Sequence, residues 1–316
     1  MIQKKDDKKQ VLNDEKYRDK KAMSIKLAKK LDRLNFVKES ISVEECGNYL
    51  LFSKEKNIET NETKRKLKKA NFCKFRHCPI CNWKRNINIH KSLLEAFKKI
   101  EADRKVEYLL LTLTIRNPET NDLKKSVKYM NDSLLKMKKY TAFKRVVLGY
   151  FKSLEILGKK TEKNQVHPHF HIILVVSSSY FKGNRYLSQK KWTEMWQKAL
   201  KVGYTPLVNV KSIRPKNKKL QSVQSAVLEV AKYSVKHTDL LELDDEDFSS
   251  IIQQTKRMRF YSTSGILKEM MNLEKIEKKE LVFSDDIEEL WIEIEEELFQ
   301  WYENEYILSC KQKKSI

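Results

Sequence analysis

The amino-acid sequence predicts an α+β protein built on one central sheet, with a small cysteine-rich module before it and a helical region after it. Three observations predict this. Between Val106 and Ile213, apolar runs of strand length alternate with amphipathic stretches in the order β-α-β-β-α-β. Upstream, Cys46, Cys73, Cys78 and Cys81 carry metal-ligand spacing within a lysine-rich segment. Downstream, residues 285–303 hold nine acids, with Ile287, Leu290, Trp291, Ile294, Leu298 and Trp301 at helical spacing.

Taken in order, residues 1–40 carry thirteen Lys or Arg against seven acids. They read as a basic arm, helical from about Asp14 to Leu34 and disordered at its start. Residues 41–104 read as a zinc-binding basic module. Between positions 64 and 85 there are nine basic residues and no acid, namely Lys64, Arg65, Lys66, Lys68, Lys69, Lys74, Arg76, Lys84 and Arg85. Inside that patch, Cys78-Pro-Ile-Cys81 forms a knuckle that points two thiolates at one tetrahedral ion, and Cys73 and Cys46 complete four sulfurs. Three cysteines within nine residues of so polar a segment have no apolar core to occupy, and His77 could replace one sulfur. Cys310, near the end of the chain, is incidental. Asn82 to Lys99 has helical periodicity leading away from the knuckle.

Residues 105–240 hold the central domain. Val106–Ile115 reads as a strand, Asn121–Lys139 as a helix, Arg145–Leu157 as a strand and His169–Val176 as a strand. Gln189–Val202 reads as a helix, Pro206–Ile213 as a strand, and a helix follows from about Gln221 to Lys236. This is the order of a split βαβ, or ferredoxin-like, sheet with helices on one face. Residues 241–316 read as a helical region whose acidic amphipathic helix packs on a partner helix or on a second copy of the chain.

Composition bounds the function. The net charge is +22, which points to a polyanionic partner, nucleic acid first. An AT-rich genome accounts for part of the lysine excess, but not for its uneven placement. No apolar run approaches the roughly 20 residues needed to span a bilayer. The N-terminus lacks the apolar stretch of a signal peptide, so a cytoplasmic location without membrane attachment is expected. Five cysteines in such a compartment are metal ligands before they are disulfides.

The chemistry centres on His167-Pro-His-Phe-His171, where three of the chain's six histidines fall within five residues. Side chains at i and i+2 of a strand share a face, so His169 and His171 point one way and Phe170 the other. An arbitrary His-x-His is more often a pair of polar strand-edge residues; the clustering here favours a divalent metal. Glu155, at the end of the preceding strand, can reach the same face and complete a two-imidazole, one-carboxylate set suited to Mn2+ or Mg2+. A solvated strand-end acid is an equally good reading of Glu155 taken alone, and His167 is the other candidate ligand. Further on, Glu229 and Tyr233 stand one helical turn apart, with Lys232 and Lys236 beside them. A tyrosine of pKa about 10 needs a metal-polarised phosphate, a base or a nearby cation to act as a nucleophile.

The series Leu111-Thr-Leu-Thr114, then His167-Pro-His-Phe-His171, then Glu229-x3-Tyr233 resembles the three motifs of HUH endonucleases that initiate plasmid rolling-circle replication. Within them it resembles the Rep proteins of small Gram-positive plasmids. The likeness extends through Cys46-Gly and Cys73-x4-Cys78-Pro-x-Cys81 to Gly265-Ile-Leu-Lys-Glu269, covering roughly residues 40–270.

The resemblance implies that Tyr233 attacks a phosphodiester of the origin strand, stays joined to the 5′-phosphate and frees a 3′-OH to prime synthesis. His169 and His171 would hold the metal. Glu229 would activate water at termination. Structural Zn2+ would sit on the four cysteines. Partners implied are origin DNA, double- and single-stranded, with host helicase and polymerase; the C-terminal helices offer a surface for a homodimer, and the oligomeric state is left open. Two other classes stand against this reading: a non-catalytic zinc-dependent DNA-binding protein, and a transposase or relaxase with the same His-x-His strand. Relaxases commonly carry their tyrosine near the N-terminus, where this chain has Tyr17 in its basic segment.

Overall fold

The computed structural model describes residues 10–158, 162–213, 237–271 and 291–314. The chain is α+β with two antiparallel sheets, and it divides into two compact units. One comprises Met1–Arg85 with Lys278–Ile316, the other Asn86–Glu277.

In the first unit, helix α1 (Glu15–Arg33) starts at Asp14, whose carboxylate accepts from the Lys16 N–H at 3.1 Å, an N-terminal cap. Tyr17, Lys21, Ser24, Leu27, Ala28 and Leu31 recur at helical spacing and are buried, so α1 is a packed element. Helix α2 (Val37–Glu45) follows, and Ser40 Oγ donates to Ala28 O at 2.9 Å. Strands β1 (Tyr49–Asn57) and β2 (Thr63–Ala70) form a hairpin. The chain then turns through the cysteine knuckle into helix α3 (Pro79–Asp103), with proline at its first position, where a missing N–H costs nothing. Gly47 has φ +69°, and a Cβ there would lie 2.8 Å from Ile80 Cδ1. A side chain would therefore clash with the start of α3.

The amphipathic helix expected over 285–303 does not form across 291–302. Those residues are strand β8 (Trp291–Tyr302), which pairs with β1 on one side and with β9 (Glu305–Lys313) on the other; residues 285–290 lie outside the described set. The physical reason is long-range. Glu295, Glu297 and Phe299 are buried at alternate positions, the period of a strand. The carboxylates meet cations from other strands: Glu297 with Arg65 at 2.6 Å, Glu295 with Lys311 at 3.0 Å, and Glu296 with Lys68 at 2.5 Å. The aromatic and β-branched residues between them suit a pleated surface, so tertiary pairing overrides helical spacing. A dimer resting on a helix at these residues loses its basis. The apolar side of the sheet gathers Leu50, Phe52, Leu67 and Phe299 with Tyr17 and Tyr306.

The second unit holds the five-stranded sheet in the order β6-β3-β5-β4-β7. Its strands are β3 (Val106–Thr114), β4 (Val147–Glu155), β5 (His169–Ser177), β6 (Val208–Ser212) and β7 (Tyr261–Gly265). Helix α4 (Leu123–Met137) follows β3, the short α5 (Thr141–Val146) precedes β4, and α6 (Gln189–Leu200) follows β5. The strand expected from Arg145 thus begins at Val147. One face of the sheet carries α4 and α6: Lys152, beside Phe170, donates to Asn131 of α4, and Trp196 of α6 donates to Thr114 O at 2.7 Å. Trp192 and Trp196 are fully buried, as core residues. The opposite face meets α3, where the Phe97 and Tyr108 rings lie 4.8 Å apart. Strand β7 is a fifth strand that periodicity alone did not reveal. It ends at Gly265, φ +59°, where a Cβ would sit 2.1 Å from Leu148 O, so only glycine fits. Short helices His237–Glu242, Asp245–Gln254 and Ile266–Met270 complete the described residues. No helix among them is long and apolar enough to cross a membrane.

Candidate metal and nucleic-acid sites

Register builds the first site. Glu155 pairs with His169 across β4 and β5, and His169 pairs with Thr114 across β5 and β3. Directly opposed residues of an antiparallel pair project to one face. Glu155 Oε2 accordingly lies 3.0 Å from His169 Nε2 and 3.2 Å from His171 Nε2. All three side chains are nearly buried, and they form one of two groups able to hold a metal ion among the described residues.

The tautomer of His169 is fixed by its surroundings. Its Nδ1 lies 2.7 Å from the His167 carbonyl, which can only accept, so Nδ1 carries the hydrogen and Nε2 faces Glu155. A lone pair and a carboxylate oxygen in contact require a proton or a cation between them. Two donors on a metal at about 2.1 Å, at right angles, are about 3.0 Å apart, which is the spacing seen here. The residues fit a divalent ion. His171 Nδ1 lies 3.3 Å from Thr112 Oγ1, a second-layer contact of the kind that orients a ligating imidazole. Burial pushes the Glu155 carboxyl up, but the hydrogen bonds of His169 and His171 outweigh it and bring it down to about 2. His167 is outside this group, though its ring centre lies 4.8 Å from that of His169; its Nδ1 is 2.7 Å from Asn117 Oδ1, and burial, then His169, lowers its pKa.

The second group is Cys46, Cys73, Cys78 and Cys81. Cys81 Sγ lies 3.5 Å from Cys46 Sγ and 3.6 Å from Cys73 Sγ. Sulfurs bound tetrahedrally at about 2.3 Å are about 3.8 Å apart, so the four thiols fit one tetrahedral ion. Backbone N–H groups point at them, from Cys73 to Cys46 Sγ at 3.5 Å and from Lys74 to Cys81 Sγ at 3.3 Å. Lys74 adopts φ +59° to make the turn. Burial opposes ionisation of Cys78, yet hydrogen bonds with Cys46, Cys73 and Cys81 hold it well below the usual thiol range. Cys73 and Cys81 are pushed up, first by their hydrogen bonds with Cys46. His77 is buried and outside this group; Cys310 is exposed. Behind the cluster, Lys21 is buried and donates to Glu44 O, to Cys46 O at 3.0 Å and to Asn48 Oδ1 at 2.6 Å.

The basic patch divides by environment. Lys64, Arg65, Lys66, Lys68 and Lys69 lie on β2. Arg65 and Lys68 are engaged by Glu297, Glu293 and Glu296 of β8, and Lys64 sits 3.7 Å from Glu55. Arg85 is buried and donates to Lys74 O at 3.4 Å, bracing the knuckle. Lys84 lies over the Trp83 ring, and Arg76 is partly buried. Lys69 and Lys74 are exposed. Glu229, Tyr233, Lys232 and Lys236 lie outside the described residues. Reading the sequence alone missed Thr112 and Lys21. The alternation Leu111-Thr-Leu-Thr114 carried a signal for the first; nothing local distinguished Lys21 from its many lysine neighbours.

Comparison with known proteins adds three findings. Residues 64–307 match the profile of a family described as "Replication protein". The chain is 34% identical over 280 residues to the "Protein rep" of a Bacillus species, covering 81% of this chain and 88% of that one. It is 32% identical over 280 residues to the "Protein rep" of Lentilactobacillus hilgardii (85% and 87%), and 31% identical over 285 residues to that of Streptococcus pneumoniae serotype 2 strain D39 (88% and 86%). No solved structure matches.

Proposed function

The chain belongs to this replication-protein family, and from that premise we propose that it initiates rolling-circle replication of a plasmid by nicking one strand of the origin. The observation that carries the reading is the Glu155–His169–His171 group on one face of the sheet, at the oxygen–nitrogen spacing of a divalent ion. The strand order β6-β3-β5-β4, with crossovers through α4 and α6, supports a ferredoxin-like split βαβ for residues 105–240. Bound Mn2+ or Mg2+ would withdraw charge from the scissile phosphate. The tyrosine hydroxyl of Tyr233 would attack phosphorus, lose its proton to solvent or a base, and join the 5′-phosphate, while the 3′ oxygen leaves and takes up a proton. Glu229 would later take a proton from water, so that hydrolysis releases the chain. Zn2+ on the four cysteines would be structural, its sulfur-only ligand set leaving no open position. Host helicase and polymerase would follow at the freed 3′-OH, in the cytoplasm.

The test is incubation of the full chain with a supercoiled plasmid carrying its origin, with and without Mn2+, followed by mapping of the protein-linked 5′ end. The expected product is a nicked circle joined through Tyr233, absent in Tyr233→Phe although specific DNA binding persists. Linkage through another residue would overturn the assignment. Unchanged DNA chemistry in Tyr233→Phe would favour the non-catalytic zinc protein.

A further inference from the structure

We propose that Lys21 is the counter-charge of the four-cysteine metal centre, which makes helix α1 a working part of that centre; the proposal rests on the zinc reading above. Four thiolates around one divalent ion carry two net negative charges, and burying them is costly without compensation. Lys21 is 1% exposed, and its three acceptors are the carbonyls of Glu44 and Cys46 and the amide oxygen of Asn48, all neutral. The Glu44 side chain is itself exposed. An ammonium group buried against neutral oxygens carries a large desolvation penalty, and three such hydrogen bonds offset only part of it. The missing compensation is supplied by the ligand set, because one of the carbonyls Lys21 holds belongs to the ligand Cys46.

The same face of α1 touches a second ligand. Ser24, three residues on, places Oγ 3.7 Å from Cys78 Sγ. Leu27, Ala28 and Leu31 then bury the rest of that helix. A segment that composition alone marks as a basic arm therefore uses Lys21 internally. Both Lys21 and Cys46 lie upstream of residue 64, where the family match begins.

The experiment titrates the zinc-loaded full chain with a chromogenic chelator and reads the zinc Kd in a four-way cycle: wild type, Lys21→Met, Cys73→His and the double variant. Cys73 is the least buried ligand, and a neutral imidazole there leaves the site one charge less negative. Lys21→Met should loosen zinc by roughly tenfold or more, and that penalty should shrink several-fold in the Cys73→His background. Equal penalties in the two backgrounds, or none in either, would overturn the counter-charge and leave Lys21 a tie between carbonyls. If Lys21→Met does not fold, Lys21→Gln, which keeps a donor and drops the charge, is carried through the same cycle. A wild-type chain without about one zinc would instead sink the zinc reading itself.

Discussion

At the scale of single residues, the sheet that carries the histidines also buries a cation on its reverse face. Lys152 is 5% exposed, lies 4.1 Å from the centre of the Phe170 ring and donates to Asn131. Burial pushes its pKa from 10.5 down to about 8. A group with a lowered pKa in the folded state binds fewer protons than the unfolded chain between about pH 8 and 10.5, so stability rises with pH across that window. Below pH 8 the full penalty applies, about 3 kcal/mol at 1.36 kcal/mol per pKa unit. Lys152→Met removes the penalty and loses a hydrogen bond and a cation–π contact of about 1 kcal/mol each. The variant should therefore be more stable than wild type by about 1 kcal/mol at pH 7 and less stable near pH 10. Urea denaturation at the two pH values checks this; a difference that does not change with pH would show that folding does not shift the Lys152 pKa.

At the scale of elements, legibility tracked the range of the interactions that decide each one. Strand β5 was readable because its own residues carry the pattern: a run of β-branched residues, and histidines at i and i+2 whose shared face follows from the pleat. The four cysteines were readable from spacing, and Glu155 from its place at the end of the neighbouring strand. Strand β8 was not readable, because β1, with which it pairs, and the cations of β2 that meet its acids lie more than two hundred residues away. Glu297 shows the mechanism: it is 1% exposed, with Oε2 2.6 Å from Arg65 Nε and Oε1 3.4 Å from Arg65 Nη2. Breaking a buried pair costs more than the pair is worth, since the surviving group keeps its desolvation penalty. Arg65 is 38% exposed and can rehydrate, which limits the loss. Glu297→Ala should lower stability by about 2 kcal/mol, and Glu293→Ala, at a more exposed position, by under about 1 kcal/mol. Comparable losses at the two positions would mean that burial does not decide their weight.

At the scale of the whole molecule, the net charge of +22 overstates what is presented to DNA. Arg65 and Lys68 face the acids of β8, Lys21 and Arg85 are buried, and exposed positions such as Lys69 and Lys74 remain for phosphate. Each phosphate contact contributes about 0.9 to the slope of log affinity against log salt on duplex DNA. Lys69→Ala and Lys74→Ala should each flatten that slope by close to this amount while leaving stability unchanged, because neither removal uncovers a buried group. Lys68→Ala should flatten it less and lower stability, since the lysine bridges Glu293 and Glu296 at 3.1 and 2.5 Å. Fluorescence anisotropy on origin duplex from low to high salt, run beside urea denaturation of each variant, separates the two uses of charge. A slope that falls with Lys68→Ala but not with Lys69→Ala or Lys74→Ala would mean that DNA displaces the β8 glutamates and takes their cations. The acids of β8 would then compete with DNA for the cations of β2, two strands away in the same sheet.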